Sequence, residues 1–499
     1  MKDRSSGILL HITSLPGKYG IGDFGKCAYE FVDFLKESHQ KYWQILPMGV
    51  TGYGDSPYQS FSAFAGNPYF IDLDSLVKMN LLTEADLKPL IDLNLISNIQ
   101  YDKLYIERYK VLKKAFTNFK ENSSLNILTN FKNKNIWWLD NYALYMAIKN
   151  KFNGKSWLEW PKNYKFRDKE TLRKARIELQ EEIEYHIFLQ YLFDKQWKDL
   201  KQYANENNIK IIGDIPIFIA TDSADTWENP KMFYFDKKLQ PKKVAGCPPD
   251  AFSADGQLWG NVLYNWKNIE NDNFKWWIKR VKSCFKLYDT VRIDHFRGFE
   301  SFWAIPAKAK TARFGKWEKG PGMKLFYAIK KSLGDLDIIA EDLGFLTSKV
   351  HKLLKDSGYP GMKILEFAFD SREESDYLPH KYPKKSVAYT GTHDNQTVVG
   401  WYKTVNDKDK KFCDEYLDDF LKNINSKTET INWKFIEALW SSNSNLVIAP
   451  MQDFLGLDDS SRMNTPSTLG GNWIWRFDSN LLNKELSKKI SSITTQYKR

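Results

Sequence analysis

Cysteine is scarce in this chain of 499 residues: there are four, Cys27, Cys247, Cys284 and Cys413, and no two form a C-x-x-C pair. That spacing argues against a disulfide framework or a cysteine zinc site and suits reduced thiols of the cytoplasm. Long apolar runs are missing as well. No stretch reaches the roughly 18 apolar residues of a membrane-spanning helix. The apolar run after Gly7 lasts only from Ile8 to Leu10 before His11 interrupts it, too short for a secretory signal. The expectation is a cytoplasmic protein that does not engage a membrane. Charge of one sign is not concentrated either: the net +11 is a small surplus of 73 basic over 62 acidic residues, and lysine pairs such as Lys242 with Lys243 or Lys384 with Lys385 are scattered. Nucleic acid is therefore not an expected partner. Three signatures are absent: H-E-x-x-H, G-x-x-x-x-G-K-[ST] and G-x-S-x-G. A metal site, a phosphate cradle and a serine-esterase elbow lose support accordingly, and no cofactor is expected.

Aromatic side chains, by contrast, are abundant, with 18 Trp, 26 Tyr and 32 Phe. That is more than a core of this size needs, and flat rings suit ligands with apolar faces, sugars among them. Short β-type apolar runs recur at residues 7–15, 42–48, 209–219, 289–294, 337–342, 362–369, 386–394 and 446–453. Several are separated by amphipathic stretches, such as 27–37 and 347–356, which is the alternation of a parallel sheet covered by helices. Eight such units predict the α/β class and a closed (β/α)8 TIM barrel, one catalytic domain over residues 1–499. The uneven spacing predicts two insertions. One, at about 70–205 between strands two and three, is mainly helical; within 172–201, Leu189, Phe193, Trp197 and Leu200 recur at helical spacing. The other, at about 220–285 between strands three and four, is rich in Pro, Gly, Asp and aromatics over 221–266 and reads as ordered loop. Residues 483–499 read as a closing helix with a frayed end.

Barrel chemistry sits at the C-terminal ends of strands, and here those ends carry acids: Asp214, Asp294, Glu341 with Asp342, and Asp394. The period of two along a strand puts Arg292 and Asp294 on one face, where Arg292 is expected to keep Asp294 ionised, as a carboxylate nucleophile requires. A purely structural Arg–Asp pair accounts for the same spacing. Glu341 shares its rim with Asp294 and Asp394, and like charges raise a carboxyl pKa as a general acid requires. A capping or salt-bridge role for it stays open. Strand alternation turns His295 and His393 away from the acids beside them, which lowers the case for a metal site further.

The segments Gly213 to Pro216 (GDIP), Val291 to Gly298 (VRIDHFRG), Ala340 to Gly344 (AEDLG) and Gly391 to Asn395 (GTHDN) resemble the strand-end motifs of the α-amylase superfamily. Asp55 to Ser60 (DSPYQS), Pro248 to Phe252 (PPDAF), Leu258 to Asn261 (LWGN) and Arg462 to Pro466 (RMNTP) narrow the resemblance to 4-α-glucanotransferases of the amylomaltase type. The resemblance covers essentially the whole chain. It implies a retaining enzyme with Asp294 as nucleophile, Glu341 as general acid/base and Asp394 as the carboxylate that holds and distorts the sugar. It implies sugar contacts from Tyr58, Asp214, Trp259, Arg292, His393 and Asn464, and maltooligosaccharides and other α-1,4-glucans as substrates. Two positions depart from the pattern: Cys247 replaces an aliphatic residue before PPDAF, and Val262 replaces the proline that usually follows LWGN. An α-glucan hydrolase shares the four strand-end motifs and is the alternative; a non-catalytic glucan-binding protein would ordinarily have lost one of the three acids.

Overall fold

The computed structural model describes residues 3–52, 54–95, 98–122, 126–249, 254–344, 346–373 and 375–499. Its strands, in chain order, are β1 (Ser5–Leu9), β2 (Tyr42–Gln44), β3 (Lys210–Pro216), β4 (Lys243–Cys247), β5 (Gln257–Val262), β6 (Thr290–Asp294), β7 (Ser301–Pro306), β8 (Lys316–Lys319), β9 (Ile338–Ala340), β10 (Gly361–Ile364), β11 (Ser386–Tyr389) and β12 (Leu446–Pro450). Eight of them form one sheet in the order β10-β11-β12-β1-β2-β3-β6-β9, and every adjacent pair is parallel. All eight expected runs supply these strands. They were legible because strands of a parallel sheet are covered on both faces and so read as continuous apolar runs; β1, β11 and β12 are buried at every position.

The seam between β9 and β10 closes the barrel by a different device. The Ala340 N–H donates to the Pro360 carbonyl at 3.0 Å, and the Asp342 Oδ1 accepts the Met362 N–H at 2.6 Å. A side-chain carboxylate thus takes the place of a backbone acceptor, and only glycine fits at 361, where a Cβ would lie 2.5 Å from the Asp342 carboxylate. Asp342 therefore serves the barrel wall, while its neighbour Glu341 serves the rim.

Helices Lys26–Glu37, Ser348–Ser357 and Lys484–Gln496 lie within a residue or two of the amphipathic stretches that predict them. Between β2 and β3 the chain is mainly helical, with Tyr101–Asn122, Asn126–Lys151 and Gln180–Glu206 as its long members. The stretch 172–201 belongs to two helices, because Lys169–Glu178 ends at Leu179, whose φ of −104° and ψ of 20° leave the helical region. Leu189, Phe193, Trp197 and Leu200 are all buried, as their spacing demands.

Between β3 and β6 the structure differs from the expected loop. Strands β4 and β5 lie there, and with β7 and β8 they form an antiparallel sheet in the order β5-β4-β7-β8. Two of its four strands follow β6 in sequence, so the pairing is long-range, and a register shift between Val244 and Gly246 breaks the alternation in β4. A local period therefore could not reveal it. Of the PPDAF motif, Asp250, Ala251 and Phe252 lie outside the described residues. At Val262, where the family pattern has proline, the N–H donates to Thr221 Oγ1 at 2.7 Å, a bond that proline cannot make.

Candidate active site

Strands β3 and β6 lie in register, with Asp214 beside Arg292 and Pro216 beside Asp294. The alternation that sets Arg292 and Asp294 on one face therefore brings Asp214 to the same face. Arg292 spans its two neighbours: Nη1 donates to Asp214 Oδ2 at 2.5 Å, and Nη2 lies 3.2 Å from Asp294 Oδ1. Tyr58 donates its hydroxyl to the same Asp214 oxygen at 2.8 Å. A polar relay thus runs Tyr58, Asp214, Arg292, Asp294.

Of the expected sugar contacts, Asp214 has no exposed surface, Arg292 is 3% exposed and His393 6%; Asp214 is bonded to Tyr58 and Arg292 lies against Asp294.

Glu341 follows β9 directly. Its Oε2 accepts the His295 N–H at 2.6 Å, and its Oε1 accepts the Leu343 N–H at 2.8 Å. His295 has a φ of 52°, in the left-handed region that a bulky residue seldom adopts. That turn, immediately after Asp294, ties the Glu341 carboxyl to the residue next to Asp294. Burial raises both carboxyls, and their neighbours separate them. Glu341, pushed further by the Asp294 charge, reaches about 8 against the pull of Arg292 and the two N–H donors. Asp294 is held to about 6 because Arg292 offsets burial and the charges of Asp214 and Asp394. At neutral pH Asp294 is ionised and Glu341 holds its proton. Arg292 does favour the ionised form of Asp294, as expected, but burial outweighs it and the net shift is upward.

Asp394 lies on the turn beyond β11 and is clasped by the 462–464 segment. Asn464 Nδ2 donates to Asp394 Oδ1 at 2.6 Å, Arg462 Nη2 to the Asp394 carbonyl at 2.5 Å, and the Asn464 N–H to the His393 carbonyl at 3.1 Å. His393 Nε2 lies 3.4 Å from Asp394 Oδ2. The expectation that alternation turns His393 from its neighbouring acid fails because both residues lie past the last β11 residue, Tyr389, where the period of two no longer holds. The His393 ring stacks on Tyr58 with centroids 5.2 Å apart and planes at 16°. Burial lowers the His393 pKa.

Trp259, partly buried in β5, meets the His295 ring edge-on at 4.9 Å and 86°. Gln59 Nε2 reaches the Trp259 carbonyl at 3.2 Å and Asn261 Oδ1 at 3.0 Å, which joins the DSPYQS and LWGN segments across 200 residues of chain. Two residues near the acids had no assigned role in the sequence. Arg462 was legible only as part of RMNTP. Trp473, whose ring lies 5.9 Å from both Tyr58 and His393, belongs to an irregular segment that offers no periodic signal. Among the described residues, no group of three or more His, Cys, Asp or Glu side chains is placed to hold a metal ion, and no helix is long and apolar enough to cross a membrane.

The model of one protein family, 4-alpha-glucanotransferase, matches residues 10–482. The chain belongs to the 4-alpha-glucanotransferase family. It is 53% identical to the 4-alpha-glucanotransferase of Clostridium butyricum, over 98% of this chain and 100% of that protein. The amylomaltase from Streptococcus agalactiae in complex with acarbose superposes with a TM-score of 0.95 at 43% identity and 99% coverage of both chains. The amylomaltase from Corynebacterium glutamicum, at 17% identity, shares the fold with a TM-score of 0.79 over 98% of this chain and 75% of that one. Membership makes this chain an enzyme of the transferase type, and the hydrolase and the non-catalytic binder give way to it.

Proposed function

We propose that this 4-alpha-glucanotransferase works by double displacement, with Asp294 as nucleophile and Glu341 as acid and then base. The observation that carries this reading is the bond from the His295 N–H to the Glu341 carboxyl. It ties the Glu341 carboxyl to the turn that follows Asp294, which supports the pairing of two neighbouring carboxyls that a retaining mechanism uses. Glu341 gives its proton to the glycosidic oxygen while Asp294 attacks the anomeric carbon. The C–O bond breaks, the leaving sugar departs with a hydroxyl, and a glucosyl ester on Asp294 remains. The 4-hydroxyl of another glucan or of glucose then gives its proton to Glu341 and displaces Asp294, and configuration is retained overall.

Asp394 and His393 hold the sugar at the cleavage point in this reading, with Asn464 fixing the Asp394 carboxylate. Tyr58 and Trp259 offer ring faces to neighbouring glucose units. The substrates are maltooligosaccharides and other α-1,4-glucans, a reading supported by the acarbose complex of the Streptococcus agalactiae relative. The main cluster of buried apolar side chains, from Ile8 to Ile493, draws on barrel strands and on the 70–205 and 220–285 segments alike, beside two smaller clusters around Phe435 and Ile305, and supports a single catalytic domain with those segments as its insertions. The free thiols of Cys27, Cys284 and Cys413 support a reducing compartment, the cytoplasm.

Glu341→Gln incubated with an α-glucosyl fluoride tests the covalent step. Fluoride leaves without a proton, but the second step lacks its base, so the ester accumulates. Peptide mapping by mass spectrometry should find the glucosyl group on Asp294. An adduct on another residue, or steady fluoride release with no adduct, would overturn the scheme.

A further inference from the structure

The turn that carries His393 and Asp394 is fixed by Asn395, and Asn395 in turn by Glu366, a residue outside every motif. Asn395 is buried, and its Oδ1 accepts both the Thr392 N–H at 3.0 Å and the Thr392 hydroxyl at 2.9 Å. The Thr392 Oγ1 in turn accepts the Asp394 N–H at 3.3 Å. One amide thus closes the turn, provided its oxygen faces Thr392. Its other end decides that orientation: Asn395 Nδ2 donates to Glu366 Oε1 at 3.1 Å. Glu366 follows the last residue of β10 by two positions and is pinned to the neighbouring strand end by its N–H, which donates to the Thr390 carbonyl at 3.1 Å.

We infer that Glu366 is a positioning residue for the transfer reaction, acting through Asn395 on the turn that presents Asp394 and His393 to the sugar. The inference rests on the reading of Asp394 given above. With Glu366 absent, the Asn395 Nδ2 is left buried without its acceptor, and the amide loses the contact that orients it. The Asp394 carboxylate then keeps its bond from Asn464 but loses the frame on its other side. Burial also pushes the Glu366 carboxyl up to about 8, with Asp453 and Asp459 adding to the shift and Asn395 and Arg462 opposing it. A neutral carboxyl presents to Asn395 the same acceptor oxygen as a glutamine.

The test uses Glu366→Ala, Glu366→Gln, Asn395→Ala and the double alanine variant, with kcat and KM measured separately on maltotriose. Glu366→Ala should lower kcat on the order of 10- to 100-fold, as a misplacement of about an ångström does, with KM changed less than about twofold. Glu366→Gln should recover most of that kcat. The double variant should be no slower than the slower single variant, because both residues act in series. Wild-type kcat in a folded Glu366→Ala protein, failure of Glu366→Gln to recover kcat, or multiplicative losses in the double variant would overturn the inference. Should Glu366→Ala not fold, Asn395→Ala and Glu366→Gln decide it alone. Asp394→Asn separates the two levels: its near-normal turnover would sink the role given to Asp394, whereas its inactivity beside an intact Glu366→Ala would sink the role given to Glu366 only.

Discussion

Two carboxyls on one rim are driven apart by what each one touches. Arg292 lies 3.2 Å from Asp294, whereas at Glu341 the Asp294 charge raises the carboxyl more than Arg292 lowers it. In the proposed double displacement, turnover needs Asp294 without its proton and Glu341 with one. The kcat/KM profile should therefore rise as Asp294 ionises at about 6 and fall as Glu341 ionises at about 8. Because the groups interact, these limbs belong to the pair. In Glu341→Gln, assayed on a fluoride donor, the alkaline limb should vanish; its persistence would assign that limb to another group. The partnership of Arg292 with Asp294 was legible in the sequence because a period of two is a geometric fact. The net direction of the Asp294 shift was not, since spacing reveals neighbours but carries no measure of burial.

Elements were legible wherever order is local. The helix Gln180–Glu206 shows its buried stripe in the spacing of Leu189, Phe193, Trp197 and Leu200, and the barrel strands show their double-sided burial as apolar runs. The sheet β5-β4-β7-β8 did not show, because its pairs lie far apart in sequence and β4 carries a register shift. Glu366 escaped for a similar reason: what it does depends on Asn395, 29 residues away. Trp197 tests the helix reading. It is fully buried and its indole N–H donates to the Leu287 carbonyl at 3.0 Å, so it ties the helix to the segment entering β6. Trp197→Ala should lower unfolding free energy by about 3 to 5 kcal/mol, read as a shift in the denaturant midpoint, with kcat unchanged where the protein is still folded. An unshifted midpoint would deny the helix its part in the core.

At the scale of the molecule, the barrel gathers acids from β3, β6, β9 and β11 at one rim, while segments inserted elsewhere enclose it: DSPYQS after β2, the β4–β5 hairpin, and the 462–464 clasp on Asp394. Enclosure matters because the proposed glucosyl-enzyme would partition between water and a sugar acceptor, and water is by far the more abundant. Transfer prevails only if the acceptor is held in place and water is kept from attack beside Asp294. The consequence is countable: transfer breaks one glycosidic bond for each bond it makes, whereas hydrolysis adds a reducing end at every turnover. The decisive measurement is the reaction of the enzyme with maltotriose alone, following chain lengths and total reducing ends together. Glucose and chains longer than maltotriose should appear at nearly constant reducing-end concentration, and a steady rise in reducing ends without longer products would contradict the account.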